Sequence, residues 1–541
     1  MFGSTFEAEL EEKRLQELQR AAEQEAMRMR EANPAEYFER NLHQLGYSDP
    51  ERALIQTLKE MIDNSLDATE AGGVLPEILV SIEETDKVIT LSSSMGKDRK
   101  AKVFRVAVED NGIGIMPDRI APSFGKILYG SKLFSLRQSR GQQGIGISAA
   151  ILYSQLTSLE PAEILSRVAG SSRACRVVLK IDVEKNEPVV ISNEELDWDK
   201  PHGLRVTISI PARYSDRLDR YFKELAIGNP HMSLAVKKTL EGSTSELRIE
   251  RTTDQVPPQP KEMKPHLYSV DPGIMQRMAE VDNCCRTLVS FLSKHFTMVS
   301  PQTARRILNL AKLPPNLRPE HIKADRVLEA AKLVKLMRPR LDVLSPIGEE
   351  NITRALRELF PDSEFVASVS RPPWTYKGIP FQVEVGVAIG GQAVSEYAGP
   401  RRMSVIRLAN RVPLPYDSSD CVIHRTVEEI DWPNYGLSTD DRGQPRVAVV
   451  FVGSIVASKV PYTSPGKFSV AASEEIRDEL KLAFQELGRK MRVYFSKKMK
   501  EESEAKRFEF FKSYYDLLAE EVAHICGEPL DVTPVVSKLF G

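Results

Sequence analysis

Hydrophobic and polar positions between residues 54 and 67 follow the period of an α-helix. At about 100° per residue, two arcs separate on opposite sides of this predicted helix. The mainly apolar arc comprises Leu54, Leu58, Met61, Ile62, Ser65 and Leu66. The polar arc comprises Glu60, Asp63, Asn64 and Asp67. Such an arc is commonly a solvated helix face, but carboxylates and amides at this spacing also suit proton transfer and metal binding.

Hydrophobic runs elsewhere divide the chain into a mixed region, a helical region and a second mixed region. Before residue 250, the segments VEDNGIGI, ACRVVLKIDV and GLRVTISIP predict strands that end in turn residues. Prolines concentrate in residues 254–265, and helical periodicity follows over residues 267–340. Strands return in FQVEVGVAIGG and RVAVVFVGSIVAS, before a long charged helix that is predicted from about residue 472 to 525. The pattern predicts a multidomain α+β protein.

These changes of pattern predict five segments. We expect a charged helical arm at residues 1–32, a first α/β domain at 33–253 and a helical domain at 254–340. A second α/β domain that ends in the long helix is expected at 341–500, followed by a helical tail at 501–541. With 541 residues, of which 41% are hydrophobic, the chain can form several cores, because domains commonly contain ~100–200 residues.

The overall charge is nearly balanced, which limits how the chain can contact nucleic acid. Lysines and arginines number 74 against 76 aspartates and glutamates, so phosphate contacts must come from local basic patches. The five cysteines include no CxxC pair and no histidine at the usual spacing of zinc ligands, so neither a disulfide framework nor a structural zinc is indicated. No apolar run approaches ~18 residues. We expect a reduced, cytoplasmic chain without membrane insertion.

Two glycine-containing motifs follow the polar helix. In FRVAVEDNGIGI, a strand runs into Asp110, and Gly112 and Gly114 come directly after it. An acid at a strand end can accept a hydrogen bond from an adenine amino group, and glycines there let a planar ring approach the backbone, although such motifs are commonly turns. In SRGQQGIGISAA, glycines lead into an apolar helix, whose first N–H groups can bind phosphate oxygens.

Two other phosphate-binding motifs fail in their context. Residues 144–149 formally fit the dinucleotide-binding fingerprint, but polar residues precede them where that motif needs a strand. The segment SPGKF resembles the end of a P-loop, but Phe468 stands where that motif needs serine or threonine and Pro461 where it needs glycine.

The three elements, in this order, resemble the Bergerat-fold ATPases shared by gyrase, Hsp90, histidine kinases and MutL, which form the GHKL superfamily. The resemblance implies that residues 33–253 form an α/β sandwich that binds ATP and Mg²⁺. It implies that Glu60 is the general base for the attacking water, that Asn64 is the Mg²⁺ ligand and that Asp110 accepts a hydrogen bond from adenine.

The same resemblance implies further nucleotide contacts. Ser131 and Lys132 are implied to approach the nucleotide, and Thr207 to lie at the floor of its pocket. The remaining implied contacts are the glycines Gly112 and Gly114 and a phosphate-binding lid of Arg140, Gly141, Gln142, Gln143, Gly144, Ile145, Gly146 and Ile147.

Later segments resemble the B subunit of type IIB DNA topoisomerases. Residues 261–310 are similar to the helix-two-turn-helix module of that family, and LDVLSPIGEENI, RLANRVPLPYD and KVPYTSPGKFSV are similar to its transducer domain. Within the superfamily, a histidine kinase is disfavoured because His43 is followed by Gln44 and not by an acid, and Hsp90 and MutL lack an all-helical insert. The resemblance covers about residues 33–500, and Pro415 departs from it where an apolar residue is expected.

The resemblance implies that Lys467 is a switch lysine that reaches from the transducer to the γ-phosphate of ATP. A lysine in a Gly-Pro turn is otherwise a solvated loop charge. The resemblance further implies that ATP makes two copies dimerise around a captured DNA duplex and that hydrolysis reopens this gate, so that supercoils are relaxed and DNA is decatenated. Basic residues at 304–306 and 487–500 are candidate DNA contacts.

No cleavage domain with a nucleophilic tyrosine is evident, so the resemblance implies a separate A subunit. That subunit is expected to dock on residues 475–541, in an A2B2 heterotetramer associated with the nucleoid. Two alternatives stay open from the sequence. One is a nucleotide-gated clamp or scaffold without strand passage, and the other is a chaperone of the Hsp90 type.

Overall fold

The computed structural model describes residues 33–91, 99–130, 136–141, 144–334, 336, 341–441 and 443–527, with isolated residues between 14 and 26 and between 531 and 538. Most of the predicted arm at residues 1–32, and most of the chain beyond residue 527, lie outside that part. Ser131, Lys132, Gln142 and Gln143 of the predicted site also lie outside it.

The α-helices from residue 33 onward are numbered in chain order. They are α1 Pro34–Arg40, α2 Pro50–Ala71, α3 Pro117–Gly125, α4 Gly146–Thr157, α5 Asp216–Gly228, α6 Pro272–Val281, α7 Leu288–His295, α8 Pro301–Leu310, α9 Ala324–Leu333, α10 Glu349–Leu359, α11 Gln392–Ala398, α12 Val422–Glu428 and α13 Glu474–Cys526.

The strands are numbered in the same way. They are β1 Glu77–Leu91, β2 Arg99–Asp110, β3 Ala162–Arg167, β4 Ala174–Asp182, β5 Glu187–Leu196, β6 Gly203–Ala212, β7 Ser233–Leu240, β8 Ser243–Ile249, β9 Phe365–Ser370, β10 Trp374–Tyr376, β11 Ile379–Ile389, β12 Met403–Ala409, β13 Val412–Pro413 and β14 Val449–Ala457.

Strands β1 to β8 form one sheet that packs against helices on one face. Their order is β5-β4-β3-β6-β2-β1-β7-β8, and neighbours are antiparallel except β1 and β7, which run parallel. Along β1, the alternate residues Ile78, Val80 and Ile82 are buried in the core with the helices. Helix α2 packs on β2 and β6, and α4 packs on β6, on β4 and on α2.

Helix α2 begins at a strong start signal. Asp49 accepts hydrogen bonds from the N–H groups of Glu51 and Arg52 at 3.1 and 3.0 Å, and Pro50 occupies the first helical position. On the polar arc, Glu60 and Asp63 are buried, and Asn64 and Asp67 are half-buried. The polar arc is therefore not a solvated face.

Strands β9 to β14 form a second sheet that is covered on both faces. The order is β10-β11-β14-β12-β13, and β9 also pairs with β11. The central strand β14 is buried along its whole length. Phe451 and Ile455 face the core that contains α12 and α13, and Val450 and Val452 face the core that contains α10 and α11. Burial on both faces explains why the sequence of β14 is a continuous apolar run.

Helices α6 to α9 form a separate helical insert with its own core, which contains Phe291, Phe296, Ile307 and Val327. The proline-rich residues 254–265 before it contain neither helix nor strand, as predicted. The first half of α13 packs on the second sheet through Ile476 and other apolar residues, whereas most residues beyond 500 are exposed. None of the helices in the described residues combines the length and hydrophobicity needed to cross a membrane.

Candidate active site

The predicted motifs and the loop that carries Lys467 line one cavity of about 420 Å³. Helix α2 contributes Glu60, Asn64 and Asp67 to its wall. The described part of the predicted lid lines it with Arg140, Gly141, Gly144, Ile145, Gly146 and Ile147. The second domain closes it with Asn410, Arg411, Pro465 and Lys467. Residues that are more than 300 positions apart in the sequence therefore share one site.

Neighbours on helix α2 hold the Glu60 carboxylate in place. The Gln56 amide donates a hydrogen bond to Glu60 Oε1 at 3.0 Å, and Lys59 Nζ lies 3.4 Å from the same oxygen. Lys59 also lies 3.3 Å from Asp63, and its side chain is almost completely buried. Burial alone would lower the pKa of Lys59, but attraction to Glu60 and Asp63 outweighs it and raises that pKa. Lys59 is thus a fixed cation behind the carboxylates.

The lid approaches Glu60 through a glycine. A Cβ atom at Gly146 would lie 1.8 Å from Glu60 Oε2, which is far inside any possible contact distance. Gly146 is also the first residue of α4, and no side chain among the described residues caps that N-terminus. Because Gly144 to Ala149 line the cavity, the unpaired N–H groups of the first turn of α4 are available to an anion there.

Asp110 lies behind the cavity wall and is completely buried. Its Oδ2 accepts a hydrogen bond from Ser65 Oγ at 2.6 Å, and its Oδ1 accepts from the N–H groups of Gly112 and Leu204 at 2.9 and 3.2 Å. Burial raises the pKa of Asp110 despite these three donors. Gly114, which adopts a φ of +69°, lines the cavity, and a Cβ there would lie 2.3 Å from the carbonyl oxygen of Arg167.

Thr207 does not line the cavity, contrary to its expected place at the pocket floor. Alternate residues of β6, including Leu204, Val206 and Ile208, belong to the core on the helix side of the sheet, and Leu204 lines the cavity. Because successive side chains of a strand point to opposite faces, Thr207 faces away from the site. Leu204 lines the cavity from β6, where the family resemblance had implied Thr207.

Lys467 enters the cavity from the second domain. Its backbone is in the left-handed region at a φ of +57°, and its Nζ donates a hydrogen bond to the carbonyl oxygen of Arg140 in the lid at 3.0 Å. The side chain is buried, and burial lowers the pKa of Lys467 although Glu60 attracts its charge. A buried cation beside the lid can respond to an anionic ligand in the cavity.

A buried charge network, which sequence reasoning missed, joins the lid to both domains. The Arg140 guanidinium lies 2.7 Å from Asp67 and 2.6 Å from Glu70, so this predicted nucleotide contact is held in ion pairs. Glu70 also lies 3.0 Å from His231 Nε2 and 3.4 Å from the Arg411 guanidinium. Burial would raise the pKa of Glu70, but attraction to Arg140 and hydrogen bonds from His231 and Arg140 hold it well below its usual value.

Burial lowers the pKa of His231, even though Glu70 favours the protonated ring. Burial likewise lowers the pKa of Arg411 to about 10. Glu70 is one helical turn beyond Asp67 on α2, which is a signal for the cavity face, but nothing in the sequence connects it with residues 231 and 411.

Comparison with known families agrees with this architecture. Residues 49–213 match the family described as histidine kinase-, DNA gyrase B- and HSP90-like ATPase, and residues 339–507 match the family described as topoisomerase VI B subunit, transducer. The fold and site therefore define an ATPase of the GHKL class joined to a transducer domain. Relatives named as B subunits of type 2 DNA topoisomerase 6 match nearly the whole chain, and this chain belongs to that family.

The relative from Archaeoglobus fulgidus is 37% identical over 521 residues, which cover 95% of this chain and 82% of the relative. The relative from Saccharolobus islandicus strain Y.N.15.51 is 37% identical over 501 residues, which cover 91% of this chain and 89% of the relative. A solved structure of the DNA gyrase B subunit from Myxococcus xanthus aligns with 84% of this chain and 95% of its own, at 11% identity and a TM-score of 0.40.

Proposed function

We propose that this chain is the ATP-binding and hydrolysing B subunit of a type IIB DNA topoisomerase, an isomerase. The observation that carries the proposal is the single cavity that collects Glu60, Asn64, the first turn of α4 and Lys467. Membership of the family of topoisomerase 6 B subunits supplies the reaction class, which is ATP-dependent passage of one DNA duplex through another.

The cavity walls fit ATP and Mg²⁺. The uncapped N-terminus of α4 suits phosphate oxygens, and the Asn64 side-chain oxygen is the type of ligand that Mg²⁺ prefers. Asp110 is buried behind the cavity wall and does not line the cavity, so an adenine amino group would reach its Oδ2, which also accepts from Ser65, only after the wall opens. Asn64 would hold a bound Mg²⁺ ion, and that ion would neutralise phosphate charge.

Glu60 is the proposed general base in this site. Gln56 and Lys59 orient its carboxylate, and Gly146 brings the first turn of α4 against it, so Glu60 lies beside the proposed phosphate site and can take a proton from a cavity water that attacks phosphorus. Lys467 is the proposed sensor of the γ-phosphate. The predicted lid contacts at residues 131–132 and 140–147 remain part of the proposal, whereas Thr207 is left out of it.

Dimerisation through the ATPase domains is the proposed way in which ATP closes the DNA gate. The proposed partner is an A subunit that carries the cleavage tyrosine, in an A2B2 assembly with duplex DNA in the nucleoid. Exposed apolar residues support the α13 tail as the docking surface for this partner: Phe510, Tyr514, Leu517, Leu518 and Ile525. We expect truncation at residue 505 to abolish association with the A subunit.

The domain boundaries are part of this proposal. We assign residues 33–253 to the ATPase domain, 254–340 to the helix-two-turn-helix domain and 341–500 to the transducer, with the arm at 1–32 and the tail at 501–541. Of the candidate DNA contacts, Arg305 and Arg306 are exposed on α8. Lys490 is less available because it lies 2.7 Å from Glu349, and Lys498 is paired with Glu364.

ATP hydrolysis by the purified chain tests the proposal, with and without duplex DNA and the A subunit. We expect DNA-stimulated turnover in the complete complex and its loss, by ~100-fold or more, in Glu60→Gln, with ATP binding retained. ATP-dependent dimerisation without turnover under any of these conditions would contradict the proposal and favour a nucleotide-gated clamp.

A further inference from the structure

A cluster of metal-ligand side chains lies in the helical insert, outside the ATP cavity. It consists of Asp282, Cys284, Cys285 and His295, whose ligand atoms all lie within 4.8 Å of one another. The sequence concealed this cluster, because the two cysteines are adjacent and the histidine follows at a spacing unlike that of common zinc motifs. Folding of α6 and α7 brings the four side chains together.

Three of the separations are close to the edges of a coordination tetrahedron. Cys284 Sγ lies 3.8 Å from Cys285 Sγ and 3.9 Å from His295 Nε2, and that nitrogen lies 3.4 Å from Asp282 Oδ1. Zinc bonds of ~2.3 Å to sulfur and ~2.0–2.1 Å to nitrogen or oxygen place tetrahedral ligands ~3.3–3.8 Å apart. One separation is shorter, at 2.8 Å between Cys284 Sγ and Asp282 Oδ1, where the thiol donates a hydrogen bond.

The surrounding structure holds the ligands in place. Asp282 follows the last residue of α6, and His295 is the last residue of α7. The Phe291 ring lies 5.0 Å from the His295 ring, measured between centroids, and limits how the imidazole can turn. Within the described residues, Asp282 Oδ2 is buried and has no hydrogen-bond partner. Cys284 is exposed, which leaves a path by which an ion can enter.

We propose that Asp282, Cys284, Cys285 and His295 bind one Zn²⁺ ion, which ties the turn after α6 to the end of α7. Thiolate and imidazole ligands select zinc over Mg²⁺, so the site is distinct in chemistry from the ATP site. Binding releases the two thiol protons and replaces the Cys284 to Asp282 hydrogen bond with bonds from both groups to the ion.

Titration of the reduced full-length chain with Co²⁺ tests the proposal directly. We expect one equivalent to produce the visible bands of a tetrahedral ion and a thiolate charge-transfer band, and one equivalent of Zn²⁺ to remove both. Slower hydrogen exchange on zinc binding is expected within residues 282–295. Protection confined to another part of the chain would overturn the assignment.

Variants provide the matched comparison. We expect the double variant Cys284→Ser, Cys285→Ser to lose the charge-transfer band and to bind zinc at least ~100-fold more weakly, and His295→Gln to bind it at least ~10-fold more weakly. Cys175→Ser and His321→Gln, which lie outside the cluster, should bind like the unaltered chain. Equal binding by the double variant, or a Cys284–Cys285 disulfide that persists in reductant and excludes metal, would overturn the proposal.

Discussion

At the scale of single residues, Gly146 carries a close contact that no other amino acid can make. The Cβ of an alanine there would lie 1.8 Å from Glu60 Oε2, so either the carboxylate or the start of α4 must move. Displacement of a reacting group by about 1 Å can lower a rate by ~100-fold. We therefore expect Gly146→Ala to lower kcat for ATP hydrolysis by ~100-fold and to change ATP affinity much less, as measured by steady-state kinetics and calorimetry.

Gly273→Ala is the matched control, because Gly273 is also in the first turn of a helix, is exposed and lies outside the cavity. Its kcat should stay unchanged. A Gly146→Ala chain with normal kcat would show that Glu60 is not held against the lid during turnover.

The lowered pKa of Lys467 predicts that ATP binding is accompanied by uptake of a proton. Burial lowers its pKa, so the free side chain loses its proton at a lower pH than an ordinary lysine with a pKa of ~10.4. A γ-phosphate beside it favours the charged form, so ATP binding takes up a proton above the lowered pKa, and ATP affinity falls as the pH rises through that range. Calorimetry at a series of pH values below ~10.4, in buffers of different ionisation enthalpy, measures this uptake.

ADP, which lacks the γ-phosphate, should bind with less proton uptake than ATP. The variant Lys467→Gln should show no difference between the two nucleotides. Equal uptake with ADP and ATP by the unaltered chain would remove Lys467 from contact with the γ-phosphate.

Residue patterns in the sequence predicted the parts of the site that local spacing encodes. Glu60 and Asn64 are one helical turn apart, and the glycines of the lid directly precede α4, so both motifs are visible in short windows. Thr207 was misplaced because it was carried over from the family resemblance alone, whereas the alternation of Leu204, Val206 and Ile208 with polar residues already puts Thr207 on the opposite face of the strand. The ion pair of Glu70 with Arg411 depends on tertiary contact alone.

At the scale of elements, Glu70 holds helix α2, the lid and the second domain together. It pairs with Arg140 of the lid and with Arg411, which lies in the turn between β12 and β13. All three side chains are buried. Removing the charge of Glu70 leaves two buried guanidinium groups with one fewer partner. Removal of one partner from a buried ion pair typically costs ~3–5 kcal/mol of stability. We expect Glu70→Gln to lower the free energy of unfolding of the first domain by about that amount, as measured by native-state hydrogen exchange.

Glu51→Gln on the same helix is the control, since Glu51 pairs with the exposed Arg213 and should contribute only ~0–1 kcal/mol. The pKa of Glu70 is held well below its usual value, so its stabilisation is complete above about pH 4.3 and is lost only as the pH falls through the lowered pKa. Equal losses in the two variants at neutral pH would show that the network does not join these elements.

Element types were largely predictable because their hydrophobic periods are distinct. The continuous apolar run of β14 and the proline-rich break at 254–265 both appear in the structure as predicted. The covering of the polar arc of α2 was not predictable, because it requires the lid and the second domain to close over a helix that looks solvated by itself.

At the scale of the whole molecule, the Lys467 side chain reaches from the transducer into the cavity that is proposed to bind ATP. A ligand shifts a conformational equilibrium only through contacts that differ between its states, and Lys467 with the γ-phosphate is the proposed difference between ATP and ADP. This lysine donates a hydrogen bond to the Arg140 carbonyl oxygen at 3.0 Å, so the lid and the transducer are in direct contact.

We therefore expect Lys467→Ala to separate dimerisation from domain movement. With a non-hydrolysable ATP analogue, the variant should still form dimers by light scattering, but the distance within one chain between labels on the ATPase domain and the transducer, measured by energy transfer, should equal that of the ADP-bound chain. Lys459→Ala, which removes an exposed lysine from the same loop region, should keep the difference between the two nucleotides. If Lys467→Ala also keeps that difference, the transducer must sense ATP through other buried contacts between the cavity wall and the second domain, such as Glu70 with Arg411 and Gln138 with Ser345.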